Sequence, residues 1–330
     1  MNRKYLNYIR FFVQACFTIF SLYIGYRFYL FYEWAIGKGE AYYPRPPGVE
    51  AFLPISALLG LKRLLVTGHY DMIHPAGLTI LLAVLAVSFL FRKGFCGWIC
   101  PVGFISNLME RLGNALGTLF PVRRWIGAMV AVPKYALMMF FLYVIFLRMD
   151  PKAVEQFIMS PYNISADAKM LKFFLAPSST TLWVVGGLIV ISLFLKNFWC
   201  RFLCPYGALL GLLALIGPAR IRRDEAECID CRKCTKVCPA GIEVHNKKTV
   251  LDPDCIGCLE CVGACPKDQC LTPEFGGRIL APIHFIMAVL LLFLGGWAVA
   301  KFLGYWDTVV PLHVFKKFYP MLDAFSHPSY

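Results

Sequence analysis

Twelve of the chain's 14 cysteines fall into three groups with spacings that bind metal or carry redox chemistry. Residues 228–239 read CIDCRKCTKVCP and residues 255–266 read CIGCLECVGACP. Each run is C-x2-C-x2-C-x3-C-P, the spacing that holds [4Fe–4S] clusters in bacterial two-cluster ferredoxins. Three closely spaced thiolates wrap one cube, and the fourth, just before proline, reaches the other. That rule assigns Cys228, Cys231, Cys234 and Cys265 to a first cluster, and Cys238, Cys255, Cys258 and Cys261 to a second. Zinc also takes C-x2-C pairs, but two complete runs, each closed by proline, follow the cubane pattern throughout. Cys270 lies outside the pattern and reads as a plain thiol.

The other two groups are pairs. FCGWICPVG (95–103) follows the apolar run AGLTILLAVLAVSFLF, and FWCRFLCPYG (198–207) follows TLWVVGGLIVISLFL. Aligned, Cys96 matches Cys200, Cys100 matches Cys204, and a proline and a glycine match behind them, so the chain repeats a unit of apolar helix, C-x3-C-P and further helix. Cysteines at i and i+4 share a helix face, and the proline ends or bends that helix. Brought together, Cys96, Cys100, Cys200 and Cys204 suit three roles: ligands of a metal or an additional Fe–S centre, a dithiol pair, or the lining of a quinone pocket. Free cysteine also packs as a small hydrophobe.

The elements that must position these residues are greasy. Hydrophobic residues make up 58% of the chain and charged residues 16%, against roughly 25% charged in a soluble domain, and the mean hydropathy is +0.61. Stretches near the length that crosses a hydrocarbon layer of about 30 Å lie at residues 9–31, 73–91, 125–147, 181–195 and 279–300, giving five expected crossings. Residues 51–68 carry a proline and a Lys-Arg pair, and read as an interfacial or re-entrant helix. The N-terminal apolar segment lacks a small-residue cleavage site and reads as a retained anchor. With the N-terminus inside, the residues up to Arg10 and the loops at 92–124 and 196–278 hold 20 of the 33 Lys and Arg, while the outer loops and tail hold 11. The positive-inside rule supports that orientation. It puts thirteen cysteines on the cytoplasmic side, where thiols stay reduced and metal ligation is favoured over disulfides.

The net charge of +13 does not point to nucleic acid, because the basic residues follow the membrane topology instead of forming one stripe. The cluster ARIRR (219–223) suits anionic lipid headgroups or an acidic redox partner. His69 and His74 read as exposed or capping histidines, with proton uptake from a quinol or haem binding as the functional alternative. Arg27 and Lys134 stand at membrane depth, where ionisable groups are costly; Arg27 can snorkel, and Lys134 can line a quinone or proton path. The 28 Phe, 16 Tyr and 7 Trp read mainly as lipid-facing or interfacial residues.

At GVEAFLPISALLGLKRLLVTG, FCGWICPVG, SPYNISADAKML, WCRFLCPYGALLG and the two ferredoxin runs, in this order, the sequence resembles the membrane-bound polyferredoxins of the NapH and NosR type. The resemblance covers nearly the whole chain. It implies several transmembrane helices, cytoplasmic [4Fe–4S] clusters and electron exchange with the quinone pool. Within these residues there is no flavin-binding domain of the NosR type and no large C-terminal domain of the oxidase-assembly type. The expected architecture is an all-α polytopic membrane protein of about five transmembrane helices with a cytoplasmic two-cluster ferredoxin domain. Its parts are a transmembrane domain (1–218), the ferredoxin domain (219–278), and a last helix with a short periplasmic tail (279–330). The expected function is electron transfer in the bacterial inner membrane between quinone or quinol and an unidentified redox protein, through two [4Fe–4S] clusters. A quinol dehydrogenase component, a maturation factor that reduces a metal or disulfide, and a membrane anchor of a larger oxidoreductase remain as alternatives.

Overall fold

The computed structural model describes residues 5–326. Three helices are long and apolar enough to cross a membrane, Leu6–Ala35, Trp125–Arg148 and Pro282–Phe302. Ala166–Leu175 and Ser179–Phe194, bent by 77° at their break, together make a fourth, broken span. Two shorter apolar helices are Pro75–Leu90 and Pro205–Ile216. The expected crossing at 73–91 is thus a helix of 16 residues, about 24 Å at 1.5 Å per residue. That falls short of the hydrocarbon thickness, and the same holds for the 16 residues of Ser179–Phe194 alone. Three to four apolar spans fit a membrane protein.

The chain divides into two compact units. The first comprises Met1–Ile19, Val84–Met138 and Trp183–Phe293 and contains every cysteine of the three groups. Inside it, ARIRR forms a strand, β1 (Ala219–Arg223), whose residues alternate between core and solvent as a half-buried strand requires. It sits between β2 (Thr249–Val250) and β3 (Leu271–Phe275), and β4 (Arg278–Ile279) closes an antiparallel sheet of order β2-β1-β3-β4. Ile221 pairs with Val250 on one side and Pro273 on the other. Gly276 (φ +56°) and Gly277 (φ +82°) make the turn from β3 to β4, the left-handed pair that a two-residue hairpin favours. The sheet face packs Ile221, Val250 and Leu271 with Val244, Leu259, Val262 and Phe285 in one core.

The second unit comprises Phe20–Ala83, Met139–Leu182 and Leu294–Tyr330. The segment expected to be interfacial or re-entrant is the helix Pro54–Thr67. Its Lys62 is buried and donates to the carbonyls of Ile145 (2.8 Å) and Met149, closing backbone acceptors that a helix C-terminus leaves open. Arg45 bridges two buried carboxylates, Glu50 (2.8 Å) and Asp167 (2.7 Å). The Tyr319 hydroxyl donates to Asp167 at 2.9 Å, and His74 Nδ1 stands 3.4 Å from Glu50. Buried charges persist where they are paired and hydrogen-bonded in this way.

Candidate functional site

The two ferredoxin runs adopt the same turn. Asp230 (φ +48°) and Arg232 (φ +57°) in the first correspond to Gly257 (φ +59°) and Leu259 (φ +61°) in the second. Left-handed residues at these positions curl each loop around a centre, and a short helix follows in each run, Lys233–Lys236 and Glu260–Ala264. Asp, Arg and Leu are held left-handed here against their preference, the kind of strain that collects at functional loops.

The cysteines gather as the spacing predicts. Cys228, Cys231, Cys234 and Cys265 line one cavity, and Cys238, Cys255, Cys258 and Cys261 line another. The four cysteines of the C-x3-C-P motifs line a third, larger cavity of about 170 Å³ together with Lys93, Arg201, Tyr206 and Asp254. Pro239, Ala240 and Ile256 belong to the walls of both this cavity and that of the second run, so the two are neighbours.

The geometry of the C-x3-C-P pairs departs from a single helix face. Cys96 lies in a short helix, Gly94–Trp98, and Cys200 in a π-helical turn, Trp199–Leu203. Cys100 and Cys204 are extended residues that open the next helices, Pro101–Ala115 and Pro205–Ile216. The proline therefore starts a helix, at the position where its missing N–H costs nothing. The Cys204 sulfur accepts from the Gly207 amide at 3.3 Å. Two helix N-termini thus face the cavity, an arrangement that favours negative charge on sulfur. A Cβ on Gly103 would lie 2.6 Å from the Cys96 carbonyl, so glycine is required for that approach.

Burial, together with the neighbouring Cys100 thiol, pushes the Cys96 thiol well above the usual range. Burial also raises Cys100 to about 11, against the Gly103 amide that lowers it, and Cys200 to about 12. In the second ferredoxin run burial raises Cys238 to about 12 and lifts Cys258 and Cys261 further. Cys228 is the reverse case, held below the ordinary value by the Asp230 amide and the Arg223 side chain. Clustered buried thiols that resist ionising are a donor set suited to a cationic core, which takes the place of their protons. Among the described residues no three His, Cys, Asp or Glu converge to hold a single metal ion. Four thiols around a cavity of this size fit a polynuclear cluster better than one ion.

The loop 252–258 is pinned to both motif segments. Trp98 Nε1 donates to Gly257 O at 3.0 Å, and Arg92 donates to Asp252 O and, at 2.9 Å, to Ala214 O. Lys134 Nζ reaches Asp254 Oδ1 and Arg201 O, both at 2.6 Å, and Lys93 stands 3.6 Å from the same carboxylate. Lys134, read as a path-lining candidate, is thus an anchor of this loop. Arg10, which the sequence did not single out, is buried and pairs with Glu260 and the Gly97 carbonyl. Of the two histidines, His69 is exposed and His74 is buried, with Nε2 donating to Asn163 O at 2.8 Å. Arg27 lies over the Tyr43 ring at 5.5 Å. Cys16, the one cysteine inside an expected crossing, is exposed on its helix.

A family model described as a 4Fe-4S binding domain matches residues 73–121 and 178–223, and one described as a 4Fe-4S dicluster domain matches 220–266. The first covers both C-x3-C-P motifs and the second both ferredoxin runs. The chain is 37% identical over 325 residues to the putative electron transport protein YccM of Escherichia coli, covering 95% of this chain and 90% of that protein. It is 28% identical over 170 residues to the ferredoxin-type protein NapH of Haemophilus influenzae, half of this chain and 55% of NapH. To the regulatory protein NosR of Pseudomonas aeruginosa it is 30% identical over 159 residues, 44% of this chain and 20% of NosR. No solved structure matches.

Proposed function

The chain belongs to the family of NapH- and NosR-like polyferredoxins and is an electron-transport iron–sulfur protein, and from that premise we propose that it exchanges electrons between the membrane quinone pool and a redox protein partner. The observation that carries this reading is the shared wall of Pro239, Ala240 and Ile256 between the C-x3-C-P cavity and the cavity of the second ferredoxin run. Cys228, Cys231, Cys234 and Cys265 hold one [4Fe–4S] cluster, and Cys238, Cys255, Cys258 and Cys261 a second. Cys96, Cys100, Cys200 and Cys204 hold an additional Fe–S centre. When bound, such clusters supply one-electron acceptance and release, which a two-electron quinol must be matched to.

The residues of the chain provide the setting. Lys93 and Arg201 at the C-x3-C-P cavity, with the two helix N-termini, favour an anionic centre and raise its reduction potential relative to a neutral wall. Phe95, Trp199 and Tyr206 line the same cavity and offer an apolar approach for a quinone ring. The bland wall of Pro239, Ala240 and Ile256 keeps the two cavities apart by side chains alone. In the proposed topology five helices cross a bacterial inner membrane, those of Pro75–Leu90 and Ser179–Phe194 being completed by the turns that follow them, and the domain at 219–278 is cytoplasmic; the basic residues at 92–124 and 196–278 support that side. Electron flow from a cytoplasmic donor into the quinone pool is compatible with the same residues.

The test is anaerobic mixing of the oxidised protein with a reduced menaquinone analogue, followed by stopped-flow absorbance of the clusters. Fast bleaching that disappears in Cys100→Ser, with the ferredoxin-run clusters still reducible by dithionite, is the expected result. Bleaching only by dithionite in the native chain overturns the quinone assignment.

A further inference from the structure

Cys270 is the fifth cysteine at the first ferredoxin site. It follows Cys265 by five residues, is 4% exposed, and precedes β3. Its thiol lines the same cavity as Cys228, Cys231, Cys234 and Cys265. The cavity of the second run has only its own four cysteines in its wall, so the surplus thiol is confined to one site.

The backbone ties Cys270 to the segment that carries Cys228. The Asp224 amide donates to the Cys270 carbonyl at 2.7 Å, and the Cys270 thiol faces the Asp224 carbonyl at 3.7 Å. The segment 224–228 that carries Cys228 is therefore tied at its start to Cys270. Cys265, by contrast, is set by the helix Glu260–Ala264 before it and by Pro266 after it. Cys228 is partly exposed while Cys270 is buried.

We propose that Cys270 is a reserve ligand of the first ferredoxin site, able to take over the iron position of Cys228 when that thiolate leaves it. This rests on the cluster assignment given above. The exchange is a substitution without electron transfer. Cys270 gives up its thiol proton and bonds to the iron, the iron bond to the Cys228 sulfur breaks, and the departing thiolate takes up the proton. The number of thiolates on the site and its oxidation level are unchanged.

The experiment uses the full-length protein in detergent, reconstituted anaerobically with ferrous iron and sulfide, with iron content and the reduced-state EPR spectrum as readouts. Cys231→Ala, a ligand with no reserve beside it, loses one cluster's iron. Cys228→Ala keeps the native iron content with altered g values, and Cys228→Ala with Cys270→Ala falls to the level of Cys231→Ala. A Cys228→Ala protein as depleted as Cys231→Ala overturns the reserve ligand, as does a double variant that keeps its iron. Retention of native iron by Cys231→Ala would instead sink the ligand assignment beneath it. A second measurement avoids any loss of fold: Cys270→Val in an otherwise native chain keeps the native iron content, and loss of one cluster's iron there would make Cys270 a standing ligand or a structural residue and overturn the reserve role.

Discussion

Replacing Gly97 by alanine tests how closely the first C-x3-C-P segment is fitted to the second ferredoxin loop. A Cβ on Gly97 would stand 2.3 Å from the carbonyl oxygen of Ile256, while real Cβ contacts essentially never fall under 3.0 Å. The two backbones must therefore separate by about 0.7 Å, and neither is the free end of a side chain. Overpacking of this kind costs about 1–3 kcal/mol. The same separation strains the bond from Trp98 Nε1 to Gly257 O, and a buried indole N–H left without a partner costs about 1–3 kcal/mol more. Taking the low end of that sum, about 2 kcal/mol, and roughly 2–4 °C per kcal/mol for a domain of 150–250 residues, the melting temperature falls by at least about 4–8 °C. The assay is thermal unfolding of the reconstituted protein in detergent, with the EPR spectrum of the clusters beside it. Gly186→Ala is the control of opposite sign. Nothing lies within 4 Å of a Cβ there, and in the helix Ser179–Phe194 alanine gains up to about 1 kcal/mol over glycine. Equal melting temperatures for the two variants would refute the close docking of residues 95–103 on the loop at 252–258.

Three further outcomes follow from the same contacts. Lys134→Met leaves the Asp254 carboxylate with Lys93 at 3.6 Å and lowers stability by about 3 kcal/mol, the low end for a broken buried pair; adding Asp254→Asn restores part of the loss in the same thermal assay. Tyr319→Phe removes the 2.9 Å donor to the buried Asp167 carboxylate and costs about 1–3 kcal/mol, while iron content and EPR stay native because the change lies in the second unit. Lys62→Met frees the carbonyls of Ile145 and Met149, lowering the melting temperature with the cluster spectrum again unaffected.

How much of this was legible depended on sequence separation. The four-cysteine groupings follow from short spacings, because a C-x2-C-x2-C loop can close only on its own centre, and the cavities gather the thiols as that rule expects. What the sequence could not supply are pairings made across long stretches of chain. Arg10 meets Glu260 across 250 residues and Lys134 meets Asp254 across 120, and no local pattern names either partner. His74 looked like a loop histidine because its burial depends on Glu50 and Asn163. Cys270 looked like a plain thiol because the sheet register that sets it beside Cys228, with Arg223 opposite Leu271, is a tertiary choice. The i,i+4 spacing of the C-x3-C-P motifs suggested one helix, whereas proline starts a new helix after Cys100 and Cys204. That preference for the first helical turn was available from the sequence.

On the proposed assignment three sets of four thiols each hold a cluster, and the sites of the C-x3-C-P motifs and the second ferredoxin run share a wall. The most direct test of that assignment is iron and acid-labile sulfide analysis with Mössbauer spectroscopy on protein purified anaerobically and enriched in iron-57. Three [4Fe–4S] centres predict about twelve iron atoms per chain, all in tetrahedral sulfur coordination, falling by a third in the Cys100→Ser, Cys204→Ser variant. About eight iron atoms in the native chain, unchanged by that variant, would contradict the third centre.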